Sequence, residues 1–184
     1  AVRSEGRITR SGDILRVTCF DDDHVFDSDA PQQKVRAELA RQPRCPNDGL
    51  IWYGFGFRFP ENIWPISPSD WMIIIQTHQT GPIAGVVPGN PPLNLSVTKD
   101  APGLQLVRNT RDPGDADNNI FEILHSFDIT PGRWQTFVMR AQFSAGGTSG
   151  SGSIKAWLDG SVIYDTSTVP GWDGELAYDH DSDL

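Results

Sequence analysis

The chain has 184 residues and carries 24 Asp and Glu against 15 Lys and Arg, a formal net charge of -9. Phosphate binding needs an excess of cations that this balance lacks, which argues against nucleic acid as a partner. With 38% hydrophobic residues, 18 Gly and 14 Pro, the composition suits one core built of strands and turns, and no run approaches the ~20 apolar residues of a membrane-spanning helix, so no membrane insertion is expected.

Ile14 to Phe20 reads as the first strand, followed by an acidic loop from Asp21 to Asp29. In Lys34-Val35-Arg36-Ala37-Glu38-Leu39, strand alternation sets Lys34, Arg36 and Glu38 on one face and the apolar residues on the other. A turn rich in Pro, Asn, Asp and Gly runs from Pro43 to Gly49. From Trp52 to Phe59, Tyr53, Phe55, Phe57 and Phe59 share a core face. Trp52, Gly54, Gly56 and Arg58 lie opposite, with the two glycines leaving a shallow trough. Trp71 to His78 is the most apolar strand and ends in Gln76-Thr77-His78. Alternation points Gln76 and His78 one way and Ile73, Ile75 and Thr77 the other.

A loop rich in Gly and Pro reaches Asn90, and Leu93 to Val97 and Leu104 to Val107 then read as a strand pair. Arg111 to Asn119 is acidic and reads as a mobile segment, and Ile120 to Phe127 is a strand carrying His125. Gly132 to Phe143 is a long strand with Phe137, Met139, Ala141 and Phe143 inward. The Gly and Ser run from Ala145 to Gly152 is short enough for a hairpin loop. Asp159-Gly160, between Ser153 to Leu158 and Ser161 to Tyr164, is a two-residue hairpin signal. Roughly ten or more such strands at this length form two packed sheets in one domain over residues 1–184.

Cys19 and Cys45 flank the Arg36 strand and are either bridged, which implies an oxidising compartment, or free. The chain begins at Ala1, so either a leader was removed or the segment belongs to something longer. His78 beside Gln76 is either a proton-abstracting base next to a carboxylate-binding amide, or a surface histidine at a strand end. Arg36 and Glu38 are either a substrate clamp or a self-neutralising pair. Lys34, Arg36 and Arg58 form a local basic strip able to attract a uronate. Asp21-Asp22-Asp23-His24 and the group Asp112, Asp115, Asp117 and Asn119 are either calcium ligands or solvated acidic loops, and neither has the spacing of an EF-hand. No zinc spacing, Gly-x-Ser-x-Gly elbow or phosphate loop is present. The Glu-x-Asp-x-x-Glu strand of many sandwich-fold glycoside hydrolases is also absent, which disfavours hydrolysis.

Six segments in order carry a family resemblance: Val35 to Leu39, Trp52 to Pro60, Gln76-Thr77-His78, Pro92 to Leu95, Gly132 to Val138, and Gly152 to Gly160. Together they resemble the polysaccharide lyase group that includes glucuronan lyases and heparin-lyase-like proteins, over about Gly12 to Tyr164. The resemblance implies an all-β, concanavalin-like β-jelly-roll sandwich of two antiparallel sheets. It also implies β-elimination of a uronic-acid polymer lying across the concave sheet.

On that resemblance His78 is the base, Gln76 and Arg36 neutralise the uronate, and a tyrosine protonates the leaving oxygen. The family's late strand with a Tyr-x-Lys-x-x-x-Tyr-like pattern has no counterpart before Leu184, which leaves Tyr178 nearest the role, ahead of Tyr164 and Tyr53. Lys34, Glu38, Arg58, Trp52, Arg140 and Lys155 are the candidate substrate contacts. The implied partner is an acidic polysaccharide met outside the cell or at a virion surface. No cofactor is expected beyond a calcium ion from the acidic loops. The competing expectation is a non-catalytic carbohydrate-binding or adhesion module of a larger assembly, using the same face.

Overall fold

A computed structural model of the chain describes residues 8–17, 49–65, 72–77, 93–112, 115–143 and 152–174. Cys19, Cys45, the acidic loop from Asp21, Lys34, Arg36, Glu38, His78 and Tyr178 lie outside the described residues. The chain divides into two compact units, Ala1–Arg44 and Cys45–Leu184. In the first, β1 (Ile8–Ser11) pairs antiparallel with β2 (Ile14–Val17). Gly12 supplies the positive φ of 61° at their turn, and Arg10 Nε donates to its carbonyl at 2.7 Å. β1 had no sequence expectation because its four residues, Ile-Thr-Arg-Ser, show no apolar alternation of their own.

In the second unit, alternation does most of the building. The strands are β3 (Leu50–Phe57), β4 (Ile73–Gln76), β5 (Leu93–Val97), β6 (Gly103–Asp112), β7 (Asp115–Asp128), β8 (Gln135–Gln142), β9 (Ser153–Leu158) and β10 (Ser161–Asp165). They form two four-stranded antiparallel sheets, ordered β10-β9-β8-β3 and β4-β5-β6-β7. The all-β jelly-roll sandwich expected from the sequence is therefore the fold of this unit. The β9–β10 turn has Asp159 and Gly160 at φ 50° and 82°, the doubly left-handed geometry that Asp-Gly suits.

The two sheets share one core, with Leu93, Leu95, Leu104 and Leu106 from one meeting Phe137, Met139, Ala141, Ile154 and Ala156 from the other. The expected aromatic face of β3 is in place. Phe55, Phe57, Phe59 and Trp64 follow one another at ring-centroid spacings of 5.8, 5.7 and 5.5 Å, and Phe55 and Phe127 both contact Phe137, at 5.6 and 6.0 Å. Offset and edge contacts at such distances add to the area each ring buries.

Two expectations need correcting. The strands around Arg111 to Asn119 run further than expected: β6 continues to Asp112 and β7 begins at Asp115, with Arg111 paired to Asn119 and Asp112 to Asp115. Cross-strand hydrogen bonds satisfy the backbone there whatever the side chains, so polar composition does not end the strands. The second correction concerns β4, where the register shifts between Ile73 and Ile75. Ile74 and Ile75 both pack on the core, and Ile73 joins Gln76 outside. A bulge of this kind gives two neighbours the same facing, which a strict period of two cannot anticipate.

Candidate functional site

The outward face of the β4–β7 sheet is polar at its centre. Gln76 on β4 stands opposite Asn94 on β5, and Asn94 stands opposite Val107 on β6. Leu93 and Leu95 point into the core, so Asn94 between them points out. Ser96 and Gln105 form the next cross-strand pair on this face, and Asn109 follows Val107 along β6. Phe121 and Ile123, 61% and 48% exposed, flank it from β7.

The polar groups at the centre are poorly satisfied. Asn94 is only 4% exposed, and its side-chain oxygen, fully withdrawn from solvent, has no hydrogen-bond partner among the described residues. Gln76 is partly buried, and its carboxamide likewise makes no hydrogen bond among the described residues. An unpaired buried amide oxygen costs about 1–3 kcal/mol, so the withdrawn Asn94 oxygen is a departure that function explains better than folding. Just beyond Gln76, Thr77 fixes the strand end. Its backbone N–H and hydroxyl both donate to the Leu93 carbonyl, at 3.0 and 3.1 Å, and Leu93 N–H donates back to the Thr77 hydroxyl at 3.2 Å. Gln76 is thereby held on a rigid element.

The sequence candidates do not gather in one place. Trp52, Arg140 and Lys155 lie together on the outward face of the other sheet, where Trp52 pairs with Arg140 and Arg140 with Lys155. Arg58 follows β3 and is exposed. Since the two sheets share one core, these residues face away from Gln76 and cannot line the same groove with it. Tyr164 and Tyr53 both pack on the core, so neither reaches the Gln76 face.

His125 also faces inward, its ring 5.6 Å from Tyr164 and 6.2 Å from Phe127. The β7 register slips near Leu124, and His125 therefore follows Leu106 to the core side. Of the second calcium candidate, Asp112, Asp115, Asp117 and Asn119 all lie on the β6–β7 hairpin. No group of three or more metal-ligating side chains occurs among the described residues.

A charged cluster near Tyr164 escaped the sequence reading. Arg108 is 7% exposed and donates to Glu122 at 2.5 and 2.9 Å and to Asp173 at 2.5 and 3.2 Å. Its guanidinium lies 4.8 Å from the Trp172 ring. Burial acts to lower the Arg108 pKa, but hydrogen bonds and charge from Asp173 and Glu122 outweigh it and hold the cation above its ordinary value. The Tyr164 phenol is pushed up, first by burial and then by Glu122. Asp173 is 65 positions from Arg108 in the chain, and no local pattern announces a pair of that separation.

Asn94 did carry a signal, as the polar residue inside Leu93-Asn94-Leu95, but only the register sets it beside Gln76. On this rigid sheet face the Gln76 amide can bind carboxylate and hydroxyl groups of an extended ligand, with the exposed Phe121 ring and Ile123 at its edge. No curated protein matches the chain. A solved structure, an endo-beta-1,4-glucuronan lyase from the fungus Trichoderma reesei, is similar at 21% identity and a TM-score of 0.49, covering 72% of this chain and 55% of that one. The present chain thus spans about half the length of that relative. A family model described as polysaccharide lyase matches residues 2–179, nearly the whole sequence, and the chain belongs to the polysaccharide lyase family.

Proposed function

We propose that the chain cleaves a uronic-acid-containing polysaccharide by β-elimination on the outward face of the β4–β7 sheet. The observation that carries this is the carboxamide of Gln76, without a hydrogen bond among the described residues, beside the orphaned oxygen of Asn94 on a rigid floor, in a chain of the polysaccharide lyase family. The reaction removes the proton at C5 of a uronate and expels the oxygen at C4. Charge develops on the carboxylate as C5 loses its proton, so a fixed donor there stabilises the transition state.

Gln76 donates its amide to that carboxylate, and Arg36 adds a cation. His78, two positions further along the chain, takes the C5 proton, a role that suits an imidazole near neutral pH. The electron pair forms the C4–C5 double bond, the C4–O bond breaks, and the leaving oxygen takes a proton from Tyr178. Asn94 at the base of the face keeps the floor polar beneath the substrate.

The test is the ultraviolet absorbance of the unsaturated uronate that elimination leaves, followed on polyglucuronate, alginate and heparin. Product is expected from at least one polymer. Gln76→Ala should lower kcat/KM by about a hundredfold or more, the usual loss when one donor to a developing oxyanion is removed. Its melting temperature should be unchanged, because the amide has no bond to lose within the described structure. Absence of product on every polymer, or an undiminished Gln76→Ala enzyme, refutes the proposal.

A further inference from the structure

The opposite face of the sandwich has its own unexplained feature. Trp52 on β3 and Trp157 on β9 flank β8 and close over it, with ring centroids 5.8 Å apart and planes 16° from parallel. Trp52 is 57% exposed, so a broad aromatic surface stands in water on a rigid sheet. From Trp52 the same side of the strand runs through Gly54 and Gly56 to Arg58, all exposed.

Packing does not require those glycines. A Cβ at Gly54 would meet only Val138 Cγ2, at 3.8 Å, and one at Gly56 only the Gln135 carbonyl, also at 3.8 Å. Their effect is an open floor about 20 Å long between the tryptophan and the arginine, six residues at strand rise.

Cations stand at both ends. Arg140 is opposite Trp52, and its Nε is withdrawn from solvent without a partner, while its Nη2 lies 3.4 Å from Ser153 Oγ. Lys155 Nζ is 5.7 Å from the Trp157 ring and 2.7 Å from Asp165. Arg58 makes no ion pair among the described residues. With Lys155 neutralised by Asp165, Arg140 and Arg58 supply the positive charge of a strip around flat apolar rings, in a chain of net charge -9.

Charge separates the candidate occupants. Leu50 and Val162, 50% and 52% exposed, extend the apolar rim, as a contact with a second protein chain would favour. The centre of a protein interface, however, is depleted of charge, and here Arg140 and Lys155 sit among the rings. The C–H face of a pyranose matches a tryptophan ring, and a carboxylate on every sugar matches cations spaced along an open trough.

We propose that this face is a second, non-catalytic binding site for a uronate-bearing polysaccharide, holding the polymer on the side of the sandwich away from Gln76. Only the choice of a uronate polymer rests on the lyase proposal above.

The test compares retention of the full chain by polyglucuronate in affinity electrophoresis with retention by the same polymer after carboxyl reduction. Trp52→Ala should weaken retention at least about tenfold on both polymers, while Trp52→Phe, which keeps a flat ring, retains most of it. Arg58→Gln and Arg140→Gln should weaken retention on polyglucuronate alone, and added salt should reproduce their effect. Turnover of short oligosaccharides should be unchanged in Trp52→Ala.

Undiminished retention in Trp52→Ala overturns the inference, as does a concentration-dependent dimer that this substitution abolishes. A chain that forms no unsaturated product yet shows Trp52-dependent retention removes the lyase proposal and keeps this one. A chain that turns over but shows no Trp52 dependence does the reverse.

Discussion

Replacing Asn94 with Leu should make the protein more stable and the enzyme worse. The two side chains have the same branched outline, so the substitution opens little cavity and forces little overlap. What it removes is a side-chain oxygen, withdrawn from solvent, with no partner among the described residues. Such an orphan costs about 1–3 kcal/mol, and the new methyl groups come to lie beside Val107, which is fully buried across the strand pair. Allowing about 1 kcal/mol for imperfect fit of a tetrahedral carbon where a planar amide stood, the net gain is about 1 kcal/mol. For a chain of this size that raises the melting temperature by about 2–4 °C. The same change sets an apolar group beneath the Gln76 amide, and kcat/KM on the responsive polymer should fall about tenfold or more. Calorimetric melting and the ultraviolet assay on one preparation read both quantities. A variant that melts lower and turns over normally would show Asn94 to be a structural residue, and the polar floor would lose its functional meaning.

Three further outcomes follow from the packing. Phe137→Ala removes a fully buried ring in contact with Phe55 and Phe127 and should cost about 3–5 kcal/mol; a loss under 1 kcal/mol in denaturant melts would mean that the two sheets do not meet at Phe137. Gly132 has φ 76°, and a Cβ there would lie 2.6 Å from Glu61 Oε1. Gly132→Ala should cost about 1–2 kcal/mol from the left-handed backbone alone, and adding Glu61→Ala should restore only the part owed to the clash. The Asp165 carboxyl is held down to about 2, first by its hydrogen bond to Lys155 and then by those from Ser167. Because the folded value lies below the ordinary 3.8, its contribution is complete above that pH and fades as pH falls toward 2. The melting difference between wild type and Asp165→Asn should therefore be constant at neutral pH and vanish at the acid end; a difference that grows in acid would contradict the assignment.

Period two was enough to place the core. Tyr53, Phe55, Phe57 and Phe59 on one side of β3, and Phe137, Met139, Ala141 and Phe143 along β8, needed only alternation, because a sheet with one buried face imposes it. The hairpin at Asp159-Gly160 followed from backbone preference alone. Sheet membership is a different quantity. Trp52, Arg140 and Lys155 share an outward face with one another but not with Gln76, and nothing local in the chain says which of two sheets a strand will join. Bulges are equally silent: Ile74 and Leu124 each shift a facing by one residue, and the sequence near them looks regular. Asn94 was visible as a polar interruption, yet its importance depends on a register with Gln76 set by tertiary pairing.

Two inward groups whose ionisation is shifted bear on where the chemistry belongs. Arg108 and Tyr164 both have raised values, and clusters of that kind often mark active sites. Here the partners argue otherwise. Arg108 spends its donors on Glu122 and Asp173 and lies against Trp172, while Trp172 Nε1 donates to the Gly152 carbonyl at 2.8 Å. The cluster thus ties β6 and β7 to the segment that follows β10. Tyr164 faces inward, and a phenol raised by burial keeps its proton at neutral pH, with no path to a substrate on either outward face. Disturbed ionisation on the inside of this sandwich is what closing one end of two sheets requires. The outward amide of Gln76 makes no hydrogen bond among the described residues, and spare capacity, rather than a shifted pKa, is what a ligand can use.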